Sequence, residues 1–160
     1  MSKKKLIVGL GNTGDKYTKI RHNVGFLTLD KLDGDAGLEL SLDKKFNAEI
    51  TISEDIIYLK PSTFMNKSGQ AVESVMSYYK LLPKKMGFIK IKDVDLSEVL
   101  TVIHDEIDID QGKIKTSIDS RSGGHRVVQS IINHLKTKNF KRGIEHCITC
   151  FEAFTGQDTV

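Results

Sequence analysis

The feature that most constrains the fold is a short apolar run that ends in a glycine-rich turn near the N-terminus. Residues 6–8 are Leu-Ile-Val, Leu10 follows, and the sequence GLGNTG spans positions 9–14. Near-continuous apolar strands are typical of sheets that are buried on both faces. The chain is therefore predicted to open with a buried strand over residues 4–11, followed by a loop to about residue 23.

Strand-like and helix-like patterns alternate along the rest of the chain. Apolar runs and two-residue alternation predict strands at 46–52, 56–59, 100–103 and 113–118. Apolar residues at helical spacing predict helices that begin near residue 24, span 67–80, and follow the glycines at 123–124. Such alternation predicts one α/β domain with a mixed, mostly parallel β-sheet flanked by α-helices.

Two segments carry more specific predictions. Residues 46–59 are predicted to form a hairpin that Pro61 stops, because proline lacks the N–H that a strand ladder needs. Residues 81–98 contain four lysines and are predicted to form a mobile basic loop or short excursion between a helix and a strand. Contact with RNA and ordinary solvation are both open interpretations of this segment.

Composition narrows the class of protein. A chain of 160 residues is long enough to bury one core without metal or disulfide staples. The net charge of +3 permits an RNA partner without requiring one. No run approaches the roughly 18 apolar residues of a membrane span, and the apolar segment after the basic N-terminus is too short for a signal peptide. A cytoplasmic protein without a membrane partner is therefore expected.

The two cysteines, Cys147 and Cys150, form a single CxxC. A zinc ribbon needs a second Cys/His pair at matching spacing, and the sequence has none. A metal interpretation of His104, Asp105 and Asp108 also lacks a matching set elsewhere in the sequence. The sequence therefore predicts no metal site.

The glycine-rich turn and the RHNVGF segment after it each allow two interpretations. GLGNTG matches a dinucleotide-binding turn, but no apolar helix pattern starts inside it, so a sharp turn that presents Asn12 is favoured. His22 precedes a predicted helix in a polar loop. There it either acts as a general base near neutral pH or caps and packs against the helix.

Three further segments carry chemistry at predicted strand ends and helix starts. In KPSTFMNKSG, exposed Phe64 beside Asn66 is suited to line a shallow cleft. In HDEIDI, Asp105 follows a buried strand, where α/β sheets place their sites, and a carboxylate there can orient a histidine. RSGGHR, at 121–126, opens a helix whose N–H groups suit an anion, or is an ordinary cap.

In this order and spacing, GLGNTG, RHNVGF, KPSTFMNKSG, HDEIDI and SGGH resemble the bacterial peptidyl-tRNA hydrolase family, from about residue 4 to residue 142. The resemblance implies a monomeric hydrolase of translation that cuts the ester bond of peptidyl-tRNA without a metal or cofactor. It implies that His22 is the general base and that Asp105 orients it. It also implies four substrate and tRNA contacts: Asn12, Tyr17, Phe64 and Asn66.

Two departures from the family pattern keep alternatives open. Arg126 stands where the family's SGGHNG has an asparagine. The match ends after residue 142, where the family continues with a strand of the RLRIGIG type, so we predict a domain at 1–142 and a divergent tail at 143–160, as a frameshift would leave. The leading interpretation is an active hydrolase. The alternatives are a catalytically impaired tRNA-binding relative and a dinucleotide-binding oxidoreductase.

Overall fold

The computed structural model describes residues 3–11, 24–62, 67–104, 114–118 and 126–145. Within these ranges the strands are β1 (Lys5–Gly9), β2 (Ser41–Asp43), β3 (Ala48–Ser53), β4 (Ile56–Pro61), β5 (Lys84–Lys85), β6 (Ile89–Lys90), β7 (Leu100–His104), β8 (Ile114–Ser117) and β9 (Lys141–Glu145). The helices are α1 (Val24–Ala36), α2 (Ser68–Tyr78) and α3 (Arg126–Leu135). None of these three helices has the length and apolar character that crossing a membrane requires.

Seven of the described strands form one mixed sheet in the order β2-β3-β4-β1-β7-β9-β8. The central strands β4, β1, β7 and β9 are parallel to one another. Strands β2, β3 and β8 pair antiparallel on the two sides. The predicted α/β fold with a mixed sheet and flanking helices is thereby confirmed. All four parallel strands end at the same edge of the sheet, which is named the carboxyl edge below.

Alternate residues along the central strands face two different cores. Leu6 and Val8 of β1 belong to a large core that also takes residues from α2 and α3: Val72, Val75, Met76, Val127, Val128, Ile131 and Leu135. Ile7 faces the opposite way, into a small core with α1: Ile7, Leu29, Tyr58 and Ile103. Because both faces of the sheet are covered at β1, an unbroken apolar run is what this strand requires.

The predicted strands and helices are confirmed within a few residues of their bounds, and β4 ends at Pro61 as expected. The proline nevertheless still pairs with Ala48, and the next N–H, of Ser62, donates to the Asn47 carbonyl at 2.8 Å. Four of the described strands were not predicted: β2, β5, β6 and β9. Strand β9 crosses the boundary predicted between residues 142 and 143.

Residues 81–98 form a short excursion that contains a two-stranded hairpin. Strands β5 and β6 make a two-stranded hairpin, and its turn has positive φ at Met86 and Gly87 (55° and 81°). The Lys90 ammonium pairs with the Glu73 carboxylate of α2 and donates to the His134 carbonyl of α3 at 3.2 Å. The hairpin is thus attached to both helices that cover the large core.

Candidate active site

The carboxyl edge collects the strand ends that precede most of the predicted motifs. β1 ends at Gly9, β4 at Pro61 and β7 at His104. The segments that follow these strands carry the glycine-rich turn, the KPSTFMNKSG motif and the HDEIDI motif. In open α/β sheets, ligands bind outside the carboxyl ends of the strands. This edge is therefore the candidate active site.

The predicted site residues themselves all lie outside the described residues: Asn12, Tyr17, His22, Phe64, Asn66 and Asp105. Their closest described neighbours in sequence are the flanks of each motif: Gly11, Val24, Ser62, Lys67 and His104. The structure describes the strand and helix ends that flank each motif in sequence.

The first turn of α1 lies directly against the ends of β1 and β7. A Cβ atom added to Gly25 would sit 2.5 Å from the Ile103 carbonyl oxygen and under 3.0 Å from backbone atoms of Leu10. The Leu10 N–H in turn donates to the Ile103 carbonyl at 3.0 Å. Glycine is the residue that permits such a close backbone approach. Gly25 and Ile103 are thus in contact. Gly25 follows the histidine of RHNVGF by three residues, and Ile103 directly precedes the HDEIDI motif.

Lys60, at the end of β4, links α1 to the sheet through its side chain, in addition to the backbone contact at Gly25. Its Nζ donates to the Asp30 Oδ1 at 2.6 Å, lies 3.5 Å from the Glu49 Oε2, and lies 4.9 Å from the centre of the Phe26 ring. Sequence analysis treated Lys60 only as the first letter of a motif. The signal that was available is a single cation at the end of an otherwise apolar strand.

The start of α2, just after the KPSTFMNKSG asparagine, is fixed on α3. The Gly69 N–H, one of the first-turn donors that a helix leaves without an internal partner, donates to the Ser130 Oγ at 3.2 Å. A Cβ on Gly69 would lie 2.7 Å from the His134 Nδ1 and closer still to backbone atoms of Ser130. This contact was not predicted, because nothing in either helix's own pattern marks it.

Helix α3 runs away from the carboxyl edge. The carbonyls of Lys136 and Asn139, just after α3, accept hydrogen bonds from the N–H groups of Asp93 and Leu96, in the segment that leads into β7. The first residue of α3, Arg126, is exposed and lies at the opposite end of the helix. The cation that replaces the family's asparagine is therefore solvent-accessible at the helix start.

No three His, Cys, Asp or Glu side chains within the described ranges are grouped so as to hold a metal ion. His104, for which a metal interpretation was weighed, is buried at the end of β7, 3% exposed. Cys147 and Cys150 lie outside the described residues.

The fold and this edge define an α/β protein whose candidate site lies where parallel strands end and helices begin. A family model described as peptidyl-tRNA hydrolase matches residues 6–146 of the chain. The chain belongs to the peptidyl-tRNA hydrolase family.

Solved structures agree with this assignment. Peptidyl-tRNA hydrolase in complex with n-propanol is 33% identical, with a TM-score of 0.72 over 88% of this chain and 66% of that one. Peptidyl-tRNA hydrolase from Acinetobacter baumannii is 33% identical, with a TM-score of 0.72 over 92% and 71%. A point mutant of the Acinetobacter baumannii protein gives 34% identity and a TM-score of 0.73 over 90% and 68%. The chain thus spans about two thirds of the length of these proteins.

Proposed function

We propose that this protein hydrolyses the ester bond between a peptide and its tRNA, with His22 as the general base. Family membership over residues 6–146 supports the reaction. Retention of His22 and Asp105 within RHNVGF and HDEIDI supports their roles.

The observation that carries the proposal is the contact between the first turn of α1 and the end of β7. His22 precedes Gly25 by three residues, and Asp105 follows Ile103 by two. Because Gly25 and Ile103 are in backbone contact, the base and its carboxylate are attached to segments that the fold holds together. A base and an orienting acid need this kind of fixed mutual geometry.

In the proposed reaction, the His22 imidazole takes a proton from a water molecule whose oxygen attacks the ester carbonyl carbon. The Asn66 amide donates to the carbonyl oxygen as it becomes negative, the role of an oxyanion-hole donor. The tetrahedral intermediate then expels the ribose oxygen, which receives the proton from the imidazolium. The Asp105 carboxylate stabilises the imidazolium in between. A positioned base of this kind contributes about 10²–10⁴-fold.

The test is release of the acyl group from purified N-blocked aminoacyl-tRNA. His22→Ala is expected to lower kcat by about 10²–10⁴-fold with tRNA binding retained. His134→Gln is the matched control, because it removes a histidine that contacts α3's own Ser130 carbonyl at 2.9 Å. The control should keep the acid limb of the pH–rate profile. Equal rates for His22→Ala and the unmodified protein would overturn the assignment of the base.

A second candidate function is a tRNA-binding relative with impaired catalysis, and exposed Arg126 is the observation that favours it. A cationic side chain there substitutes for the family's neutral amide. If the folded protein binds tRNA but releases no acyl group, Arg126→Asn is expected to restore release. Activity in the unmodified protein excludes this candidate.

We also propose that the protein acts as a cytoplasmic monomer, with the hydrolase domain of residues 1–142 completed by the rest of β9 and the divergent part of the 143–160 tail following that strand. Light scattering is expected to give a mass near 17.9 kDa. A mass near twice that value at working concentration would contradict the monomer.

A further inference from the structure

We propose that the β5–β6 hairpin binds the phosphate backbone of the RNA portion of the substrate, so that this inference rests on the proposed function. Charge distribution is the first observation. Residues 80–92 contain five lysines and no acidic residue, whereas the whole chain has a net charge of +3. The remaining residues therefore sum to −2 (3 − 5), so the chain's net positive charge comes from this one segment.

The lysines of the hairpin are available to a partner. Lys84, Lys85 and Lys92 are exposed, and no Asp or Glu in the described part of the chain forms an ion pair with them. Lys90 is the member that already pairs, with Glu73. Lys84 also lies directly across from Lys90 in the ladder. Side chains of directly opposed residues share one face of a hairpin, so the exposed Lys84 lies on the same face as Lys90.

Apolar side chains are exposed between these cations. Met86 and Phe88 at the turn are 75% and 72% exposed, and Ile89 beside them is 45% exposed. An exposed aromatic ring interleaved with lysines is typical of surfaces where a base or sugar stacks while phosphates are neutralised. A merely solvated turn has no need of Phe88 and Met86 at its tip.

The position of the hairpin suits a substrate that extends from the carboxyl edge. Lys90 contacts Glu73 in α2 and the His134 carbonyl in α3, and His134 lies next to Gly69 at the start of α2. Gly69 and Glu73 are one helical turn apart, roughly 6 Å along the axis. An RNA whose ester end occupies the carboxyl edge therefore meets the hairpin after crossing the junction of α2 and α3.

The test compares two triple variants that remove equal charge. The hairpin variant carries three changes: Lys84→Ala, Lys85→Ala and Lys92→Ala. The control carries three changes at exposed lysines elsewhere: Lys3→Ala, Lys31→Ala and Lys44→Ala. For each, KM and kcat are measured with N-blocked aminoacyl-tRNA and with the same blocked amino acid esterified to a short oligonucleotide. Affinity for uncharged tRNA is measured across salt concentrations.

The hairpin variant is expected to raise KM for the full tRNA substrate and Kd for uncharged tRNA roughly ten- to a hundredfold. It should also reduce the salt slope of tRNA binding by about 2 to 3, as expected for three lost phosphate contacts. Its kcat and its kinetics on the oligonucleotide ester should stay unchanged. The control should behave as the unmodified protein on every measure.

Equal losses in the two triple variants would overturn the proposal, because binding would then follow net charge alone. Unchanged tRNA affinity in the hairpin variant would also overturn it. Failure of the hydrolase proposal is distinguishable, because it abolishes turnover in the unmodified protein while the tRNA affinities still report on the hairpin. Phe88→Ala, which leaves the charge intact, is expected to weaken tRNA binding with the salt slope retained.

Discussion

The helices on the two faces of the sheet are held in place by different interactions. On one face, α2 and α3 cover a core of 21 buried apolar residues, and on the other α1 covers a core of four, among the residues that the structure describes. The large core is stabilised mainly by burial, with one hydrogen bond between Gly69 of α2 and Ser130 of α3 in addition. The small core is supplemented by backbone contact at Gly25 and by the ion pairs of Lys60.

This difference shows how the candidate site is supported. The proposed base precedes α1, the helix of the smaller core, so its position depends on a few specific contacts rather than on extensive packing. The KPSTFMNKSG motif precedes α2, which is fixed through Gly69 and Ser130 on the larger core. Substitutions on the α1 face are therefore expected to affect catalysis at a smaller loss of global stability.

The largest expected effect on the free energy of unfolding comes from truncating one fully buried leucine in each core. Leu59 and Leu29 are both fully buried, 0% and 1% exposed. We expect Leu59→Ala to lower the free energy of unfolding by about 4 kcal/mol and Leu29→Ala by about 2–3 kcal/mol, because a cavity under one helix collapses more readily. Urea denaturation measures both. Equal losses of unfolding free energy in the two variants would contradict the difference between the cores.

The next effect concerns the two tight glycine contacts. Gly25→Ala and Gly69→Ala each force a Cβ against backbone atoms, at an expected cost of about 2–3 kcal/mol. Only Gly25→Ala is expected to lower kcat as well, since it moves the start of α1. Gly37→Ala is the control: its Cβ would face open space, and its φ of +66° should cost about 1 kcal/mol. A normal kcat in folded Gly25→Ala would contradict the link between this contact and the base.

A smaller effect is expected at Lys60. Lys60→Met removes a charged hydrogen bond to Asp30, which should lower the free energy of unfolding by about 1–2 kcal/mol. Lys60→Arg preserves the charge and should recover part of that loss. Denaturation at low and high salt measures both variants. Lys84→Ala, which removes an exposed lysine without an ion pair among the described residues, should leave stability unchanged.

The smallest effect is a pH dependence of the small core. Burial, followed by the nearby Glu54 carboxylate, raises the pKa of Tyr58 above its ordinary value. The neutral phenol is thus favoured in the folded protein, so its stabilisation is present below about pH 10 and is lost as the pH rises through the raised pKa. Tyr58→Phe should flatten the alkaline loss of stability between pH 9 and 11. An unchanged difference between the two proteins over that range would contradict the raised pKa.

The sequence predicted the parts of the fold whose local pattern and burial agree. β1, β4 and β7 are short apolar runs, and α2 shows a helical repeat because one side packs on the sheet. β5 and β6 were not predicted as strands, because two-residue strands with exposed lysines have no apolar alternation to detect. β9 was not predicted because the sequence after residue 142 lacks the RLRIGIG pattern, although the family model matches as far as residue 146. Its parallel ladder to β7 uses backbone groups and tolerates Gly143 in the strand.

The candidate site residues were predicted by a different route from the strands and helices. The motif residues came from their order along the chain and from the family resemblance, and their roles remain predictions. The contacts that organise the edge were not predictable. Gly25 meets Ile103 across 78 residues of sequence (103 − 25), and Lys60 reaches Asp30 in another element. No local sequence pattern indicates such pairs. A resemblance to a family indicates which residues belong to the site but not which other residues they contact.

The central place of β1 has a consequence for synthesis. Gly9 pairs with Ile103, so 94 residues (103 − 9) must be added after β1 before its second neighbour exists. At about 5–20 residues per second, that delay is roughly 5 to 20 s. During that time β1 lacks a partner strand on at least one of its hydrogen-bonding sides, which is when a nascent chain is most exposed to mispairing and most in need of a chaperone.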